Sequence, residues 1–467
     1  MLYRETADKI AAYIKERKLS AGTKLPTYRS FSELFGVSLH TVGSAMERLH
    51  NRGIVNISPQ SGVFVMEEAW KAFYPNAFNW QNYFNKTGRL PVELLKRFSE
   101  SRRGNGETRS RYVLSNLGLS PEFGYLPMLK DALKKAVLDL PYEHLVIPSE
   151  EHFEKYAETI AEYMRSYGVD LPAGSVLPTR GAYHSLLIIA LTFFSPGTVC
   201  YYVSPSMLDV SGIFDMAGLI KRAVPSGREG IDLDYFSEAV RKGEKAFIVI
   251  SPELNLSGVQ MSLGKRQKLY HFCHTNLIPI IEVDEYRGYL SETLPPVKAF
   301  DKHGIVFYIG TFTDITHAFI DAGWIAASEE LIERLNLSNI SICMMPEIIP
   351  HQAIYEILTG GSKGFISNLQ NELEERGREL NLLLDEYLGD IAVWDRNSKV
   401  FFWVKFPNYI DAQKIAANSE GLTVAEYSKY AFAEKNSVFI STASSNRSEM
   451  PDAVRLLSKI ARKSMRT

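Results

Sequence analysis

The chain has 467 residues, of which 45% are hydrophobic and 23% charged, with a net charge of −2. That length and composition exclude a disordered or fibrous chain and lead us to expect two or three domains of ordinary globular protein. Cys200, Cys273 and Cys343 lie far apart, which argues against a disulfide framework, and no apolar run reaches membrane-spanning length, so a cytoplasmic protein without a membrane segment is expected.

Charge is uneven. Residues 1–66 hold nine Lys/Arg against five Asp/Glu, leaving 43 against 49 for the rest. A mildly basic head on an acidic body suggests two separate tasks. In the head, Ala7, Ile10, Ala11 and Ile14 recur at helical spacing and predict a first helix over 3–17. Gly22 and Pro26 break it, and Thr27 can cap a second helix, TYRSFSELF. Gly36 supplies a turn, and Ser38 caps a third helix whose Val42, Ala45, Met46 and Leu49 make one apolar face. Two β-prone runs, IVNIS and VFVM, follow as a hairpin joined by PQSG. Three helices and a hairpin describe a winged helix-turn-helix, whose third helix enters the DNA major groove.

The order LPTYRSFSELFGVSLHTVGSAMERLHNRGIV…SGVFV resembles the GntR family of bacterial regulators over about 65 residues. The resemblance implies a double-stranded DNA operator as partner, met by Arg29, Ser38, His40, Thr41 and Gly62. Two family arginines are replaced here by Leu39 and Gly43. A bidentate arginine contact discriminates a base pair by roughly 1–3 kcal/mol, so modest affinity or an unusual site is expected.

Residues 69–112 read as a linker, aromatic and then polar. Beyond it, helical periodicity alternates with short β-rich runs such as TVCYYV, KAFIVI, IPIIEV and GIVFYI. That alternation predicts an α/β fold with a mostly parallel central sheet over 113–365. Polar turns TRGAYHS, SPSM, SPELNLSG, VDEYRGY and GTFTD close several strands, and in such sheets ligands bind beyond the strand carboxyl ends. TGGSKG at 359–364 lacks phosphate-loop spacing and reads as a loop before a long helix carrying Leu369, Leu373, Leu380 and Leu384. That helix opens a C-terminal α+β subdomain over 366–467. His271, Cys273 and His274 are too few for a structural zinc site, and no metal is expected.

The turns, in this order, resemble a fold-type I, pyridoxal-phosphate-dependent aminotransferase, and a GntR head on such a body is the architecture of the MocR subfamily of transcription regulators. The resemblance assigns Gly181, Ala182 and Thr313 to the phosphate, Asn255 and Tyr286 to the ring hydroxyl and Asp284 to the pyridinium nitrogen. Other positions depart from it. Asp314 stands where the family has its Schiff-base lysine, Asp321 replaces a phosphate-binding arginine, Met207 replaces the stacking aromatic, and Phe439 replaces the substrate-carboxylate arginine. Two unit charges about 5 Å apart interact by roughly 3 kcal/mol at an effective dielectric near 20, so reversing one moves the balance by about twice that.

No catalytic residue and no resident cofactor are therefore expected, and the body reads as a pseudo-aminotransferase. It would serve in homodimerisation and in sensing a small amine or other cation in a crevice made acidic by Asp284, Asp314, Asp321 and Glu253. Arg180, Lys302 or His317 could pair with those acids instead. The alternatives are an enzyme that binds pyridoxal phosphate without a lysine and a scaffold that only dimerises.

Overall fold

The computed structural model describes residues 2–17, 19–58, 61–66, 111–114, 118–140, 150–209, 211–316, 320–343, 347–360, 363–417, 421–426, 431–432 and 434–465. The chain separates into two compact units, Met1–Glu93 and Leu94–Thr467. The linker expected over 69–112 lies outside the described residues as far as 110.

In the first unit, α1 (Leu2–Glu16) buries Ala7, Ile10 and Ile14. Thr27 caps α2 (Tyr28–Phe35), accepting the Ser30 amide at 3.2 Å, and Gly36 ends that helix at φ 64°. α3 (Leu39–Asn51) turns Val42, Ala45, Met46 and Leu49 inward. β1 (Val55–Ser58) and β2 (Gly62–Val65) pair antiparallel with Val55 opposite Val65, and Val55, Val63 and Val65 close the core over the helices. The predicted winged helix-turn-helix is formed.

The second unit begins with a difference from expectation. β3 (Tyr112–Val113) joins no large sheet; it pairs parallel with Leu422–Thr423 and buries Tyr112 and Leu114 in the C-terminal core. α4 (Tyr125–Leu138) and α5 (Glu150–Arg165) follow. The central sheet contains β4 (Val176–Thr179), β5 (Val199–Ser204), β6 (Ile220–Gly227), β7 (Gly230–Ile231), β8 (Ala246–Ile250), β9 (Ile280–Asp284), β10 (Val306–Thr311) and β11 (Gly323–Ala326). Their order is β4-β11-β10-β9-β8-β5-β6-β7. From β10 to β6 neighbours run parallel, whereas β11 is antiparallel to both β10 and β4.

Both faces are covered because successive side chains on each strand turn opposite ways. Cys200, Phe247 and Ile281 face α6 (Gly181–Phe193), while Tyr201, Ile248 and Ile280 face α7 (Leu263–Thr275). α8 (Glu329–Cys343) adds Ile332 and Leu335 to the first face. TGGSKG overlaps the end of α9 (Ile348–Thr359) and the start of α10 (Lys363–Leu388), so it follows a helix and not a strand. α10 spans two cores. Its Leu369 and Leu373 pack with the large sheet, and its Leu380 and Leu384 with β12 (Phe401–Lys405) and α11 (Met450–Ser464). Ser437–Ser441 lies between β12 and Ala425–Glu426 in an antiparallel sheet, which completes the α+β subdomain.

Register places the expected crevice. Asp284 is aligned with Gly310, Gly310 with Trp324, and Gly323 with Thr179, so the carboxyl ends of β9, β10 and β4 lie in one row.

Candidate functional sites

The recognition helix of the first unit begins at Ser38, whose hydroxyl accepts the Thr41 amide at 3.1 Å and lies 2.8 Å from the Thr41 hydroxyl. Both side chains thus hold the first turn of α3 in shape. Leu39 and His40 are exposed beside them, Arg29 is exposed with Nε 3.8 Å from Glu33, and Gly62 opens β2 at φ 109°. The expected DNA-contacting residues belong to this one unit.

In the second unit the acids are distributed differently from the expectation. Asp284 ends β9 in a buried position, and its Oδ2 accepts Arg287 Nε at 2.5 Å and the Tyr308 hydroxyl at 2.8 Å. The Arg287 guanidinium lies 4.4 Å from the centre of the Tyr167 ring and reaches Glu253 at 3.3 Å. Glu253 is itself held by Arg266 at 2.9 Å, by Gln260 at 2.8 Å and by the Leu294 amide at 3.0 Å. Two carboxylates and two guanidiniums balance in charge, so Asp284 and Glu253 do not make the crevice acidic. Their partners are Arg287 and Arg266 rather than Arg180, which pairs with Glu347 at 3.4 Å, or Lys302. His317 lies outside the described residues.

Asp314 is buried after β10, and its carboxyl accepts the Gly288 amide at 2.9 Å and the Ile315 amide at 3.0 Å. Burial, reinforced by Asp284 and Glu285, pushes its pKa up to about 8 despite those two donors. Gly288 is a requirement of this contact, because a Cβ there would stand 2.4 Å from Asp314 Oδ2. Asp321 is exposed, yet its carboxylate reaches the first turn of α6: Gly181 has φ 75°, and a Cβ on it would lie 2.2 Å from Asp321 Oδ1. The positive end of a helix dipole favours a carboxylate there. Each of two positions where the resemblance calls for a cation thus presents a carboxyl group.

Beside these groups lies a cavity of about 60 Å³ beyond β5, β8 and β9, lined in part by Ala182, Asn255, Tyr286 and Glu285. Asn255 Oδ1 is occupied by the Ser257 and Val259 amides at 2.9 and 3.2 Å. Thr313 has its amide 3.3 Å from the Thr311 hydroxyl. Met207 begins a short 3-10 turn, Met207–Asp209, and its side chain lies outside the described residues. Phe439 is buried against Phe401 and Trp403, so no arginine-like donor stands at its position.

Sequence reasoning missed Glu285, Arg287, Arg266 and Tyr308. Asp284 and Arg287 sit three apart in VDEYRGY, a spacing that could have signalled a pair. Arg266 meets Glu253 only through the fold.

Residues 2–65 match the family described as bacterial regulatory proteins, gntR family. A Bacillus subtilis protein described as uncharacterized HTH-type transcriptional regulator YdfD is 26% identical over 455 residues, covering 94% of this chain and 92% of the relative. The Staphylococcus aureus HTH-type transcriptional regulator NorG is 24% identical over 398 residues, covering 83% and 87%. Among solved structures, the α-aminoadipate aminotransferase LysN of Thermus thermophilus superposes with a TM-score of 0.72 at 18% identity, over 83% of this chain and all of that one. An archaeal alanine:glyoxylate aminotransferase gives the same TM-score and coverage at 20% identity. These superpositions establish the fold of the second unit and not its chemistry. The chain is a transcription regulator of MocR-type architecture, with a GntR helix-turn-helix module followed by an aminotransferase-like fold.

Proposed function

We propose that the winged helix binds a double-stranded operator in the cytoplasm, and that the aminotransferase-like body performs no transamination but forms a homodimer and senses a small amine or other cation. Paired heads would read paired half-sites, and a ligand would act by binding unequally to two arrangements of the protein.

One observation carries this reading: Asp314 offers a carboxyl, accepting two backbone amides, where imine formation needs an amine. Asp321 adds a second disagreement, since its carboxylate stands at the helix terminus where a phosphate would sit. The residues therefore do not fit pyridoxal phosphate held through an imine.

The full chain mixed with pyridoxal phosphate should show no aldimine absorbance and no lysine adduct after borohydride reduction. A band abolished by replacing one particular lysine would overturn the reading. One observation favours pyridoxal phosphate bound without a lysine: Asp284 Oδ1 is buried with no hydrogen-bond partner among the described residues, as a pyridinium would require. Saturable binding without an adduct would support that second reading.

A further inference from the structure

We propose that the cavity beyond β5, β8 and β9 is a binding site for a compact alkylamine, whose ammonium group pairs with Glu285. The inference rests on the reading of the body as a sensor and names the ligand class and the anchoring residue.

The walls of the cavity are largely hydrocarbon, with Leu186 from α6, Val203, Val249 and Val283 from the three strands, and Leu254 from the loop after β8. Glu285 is the one charged side chain among the described residues that line it. The other acids around it are engaged: Asp284 and Glu253 by arginines, Asp314 by two amides, and Glu282 by the Val297 and Lys298 amides, both at 2.8 Å. Among the described residues Glu285 has no hydrogen bond and no ion pair. Glu285 is half-buried, and a carboxylate that lines a mostly apolar cavity without a counter-charge is less well solvated than one in water, which favours a cation there.

Chemistry narrows the class. The titratable groups acting on Glu285 or acted on by it are Asp321, Asp314 and Tyr289, none of them basic, so an anion would be repelled. With Phe439 in place of an arginine, the described strands of the C-terminal sheet offer no guanidinium for the carboxylate of an amino acid, and Lys405 is paired with Glu434. An amine without a carboxylate fits better. A water needs about 10–15 Å³ of such space, so the 60 Å³ of the cavity admits a body of about four to six non-hydrogen atoms. Burial and the nearby Asp321 hold the Glu285 carboxyl up at about 7. Its ionised form therefore grows between pH 6 and pH 8 while an alkylamine stays protonated.

The test is calorimetric titration of the full chain with isopentylamine, isopentanol, isovalerate and leucine. Isopentylamine alone should bind saturably, at least about fivefold more weakly at pH 6 than at pH 8. Glu285→Gln should lose at least about tenfold in affinity while keeping its thermal midpoint and its DNA gel shift, which establishes that it folds. Equal affinity in Glu285→Gln, equal binding of isopentanol, or no binding of any amine would overturn the proposal. If amine binding survives in Glu285→Gln but falls in Asp321→Asn, the anchoring residue is wrong and the sensing reading stands. If no amine binds to the wild type and a lysine adduct of pyridoxal phosphate forms, both readings fail.

Discussion

Asp314 is costly to ionise where it stands, and that has a consequence for stability. A carboxyl whose pKa is about 8 in the fold and near 4 in the unfolded chain binds more protons in the fold throughout that interval. Stability contributed through this group is therefore lost as pH rises from about 4 to about 8. Asp314→Asn keeps an acceptor for the Gly288 amide and removes the titration. Its thermal midpoint, relative to wild type, should rise by ~3 °C or more between pH 5 and pH 9, and an unchanged difference would contradict the assignment. Arg287→Ala would leave Asp284 and Glu253 short of a counter-charge in a buried site. Removing one partner of such a pair typically costs about 3–5 kcal/mol, measurable by urea unfolding. The two substituted positions at 314 and 321 were legible as letters in a sequence, because acids replace a lysine and an arginine within one short run. Their surroundings were not, since Arg266 and Glu253 are neighbours only after β8, its loop and α7 have packed.

Elements with a clear period were the easiest to read. α1 was expected over 3–17 and runs Leu2–Glu16, and Ser38 was expected to cap α3 and does so. Ser38→Ala removes an acceptor for the Thr41 amide and should cost about 1 kcal/mol of stability in the first unit. Operator affinity should fall with it, because Leu39 and His40 hang on that turn. A gel shift should register the loss, and the double variant Ser38→Ala/Thr41→Ala should add little, since the two hydroxyls act as one contact. β11 was not picked out as a strand, and β4 was marked only by the turn TRGAYHS that closes it. Each has four residues, and β4 carries Pro178, which ordinarily counts against a strand. The fold accommodates it because β4 is an edge strand, paired only with β11. Nor does a short run reveal direction: that β11 lies antiparallel within a mostly parallel sheet is a matter of pairing, which no periodicity reports.

At the scale of the whole molecule, two units with separate cores predict two separable behaviours. Operator binding should weaken steeply with salt, because phosphate contacts release counterions, whereas an amine held in an apolar cavity should be far less salt-sensitive. A gel shift and an amine titration, each run at about 50 and 200 mM salt, would separate the two, and a salt-independent gel shift would exclude a backbone-driven DNA interface. Fold class was readable because strand and helix alternate over a long span. The C-terminal core was less so, since it recruits Tyr112 and Leu114 from the far end of the same unit.

The fit between Gly288 and Asp314 also has a polarity. A lysine at 314 would bring an ammonium, which can only donate, to a place where the Gly288 and Ile315 amides already donate. A buried amide left without an acceptor costs about 1–3 kcal/mol, so Asp314→Lys should lose stability even before its longer side chain has to be accommodated. Position 314 is thereby reserved for an acceptor by the direction of two hydrogen bonds.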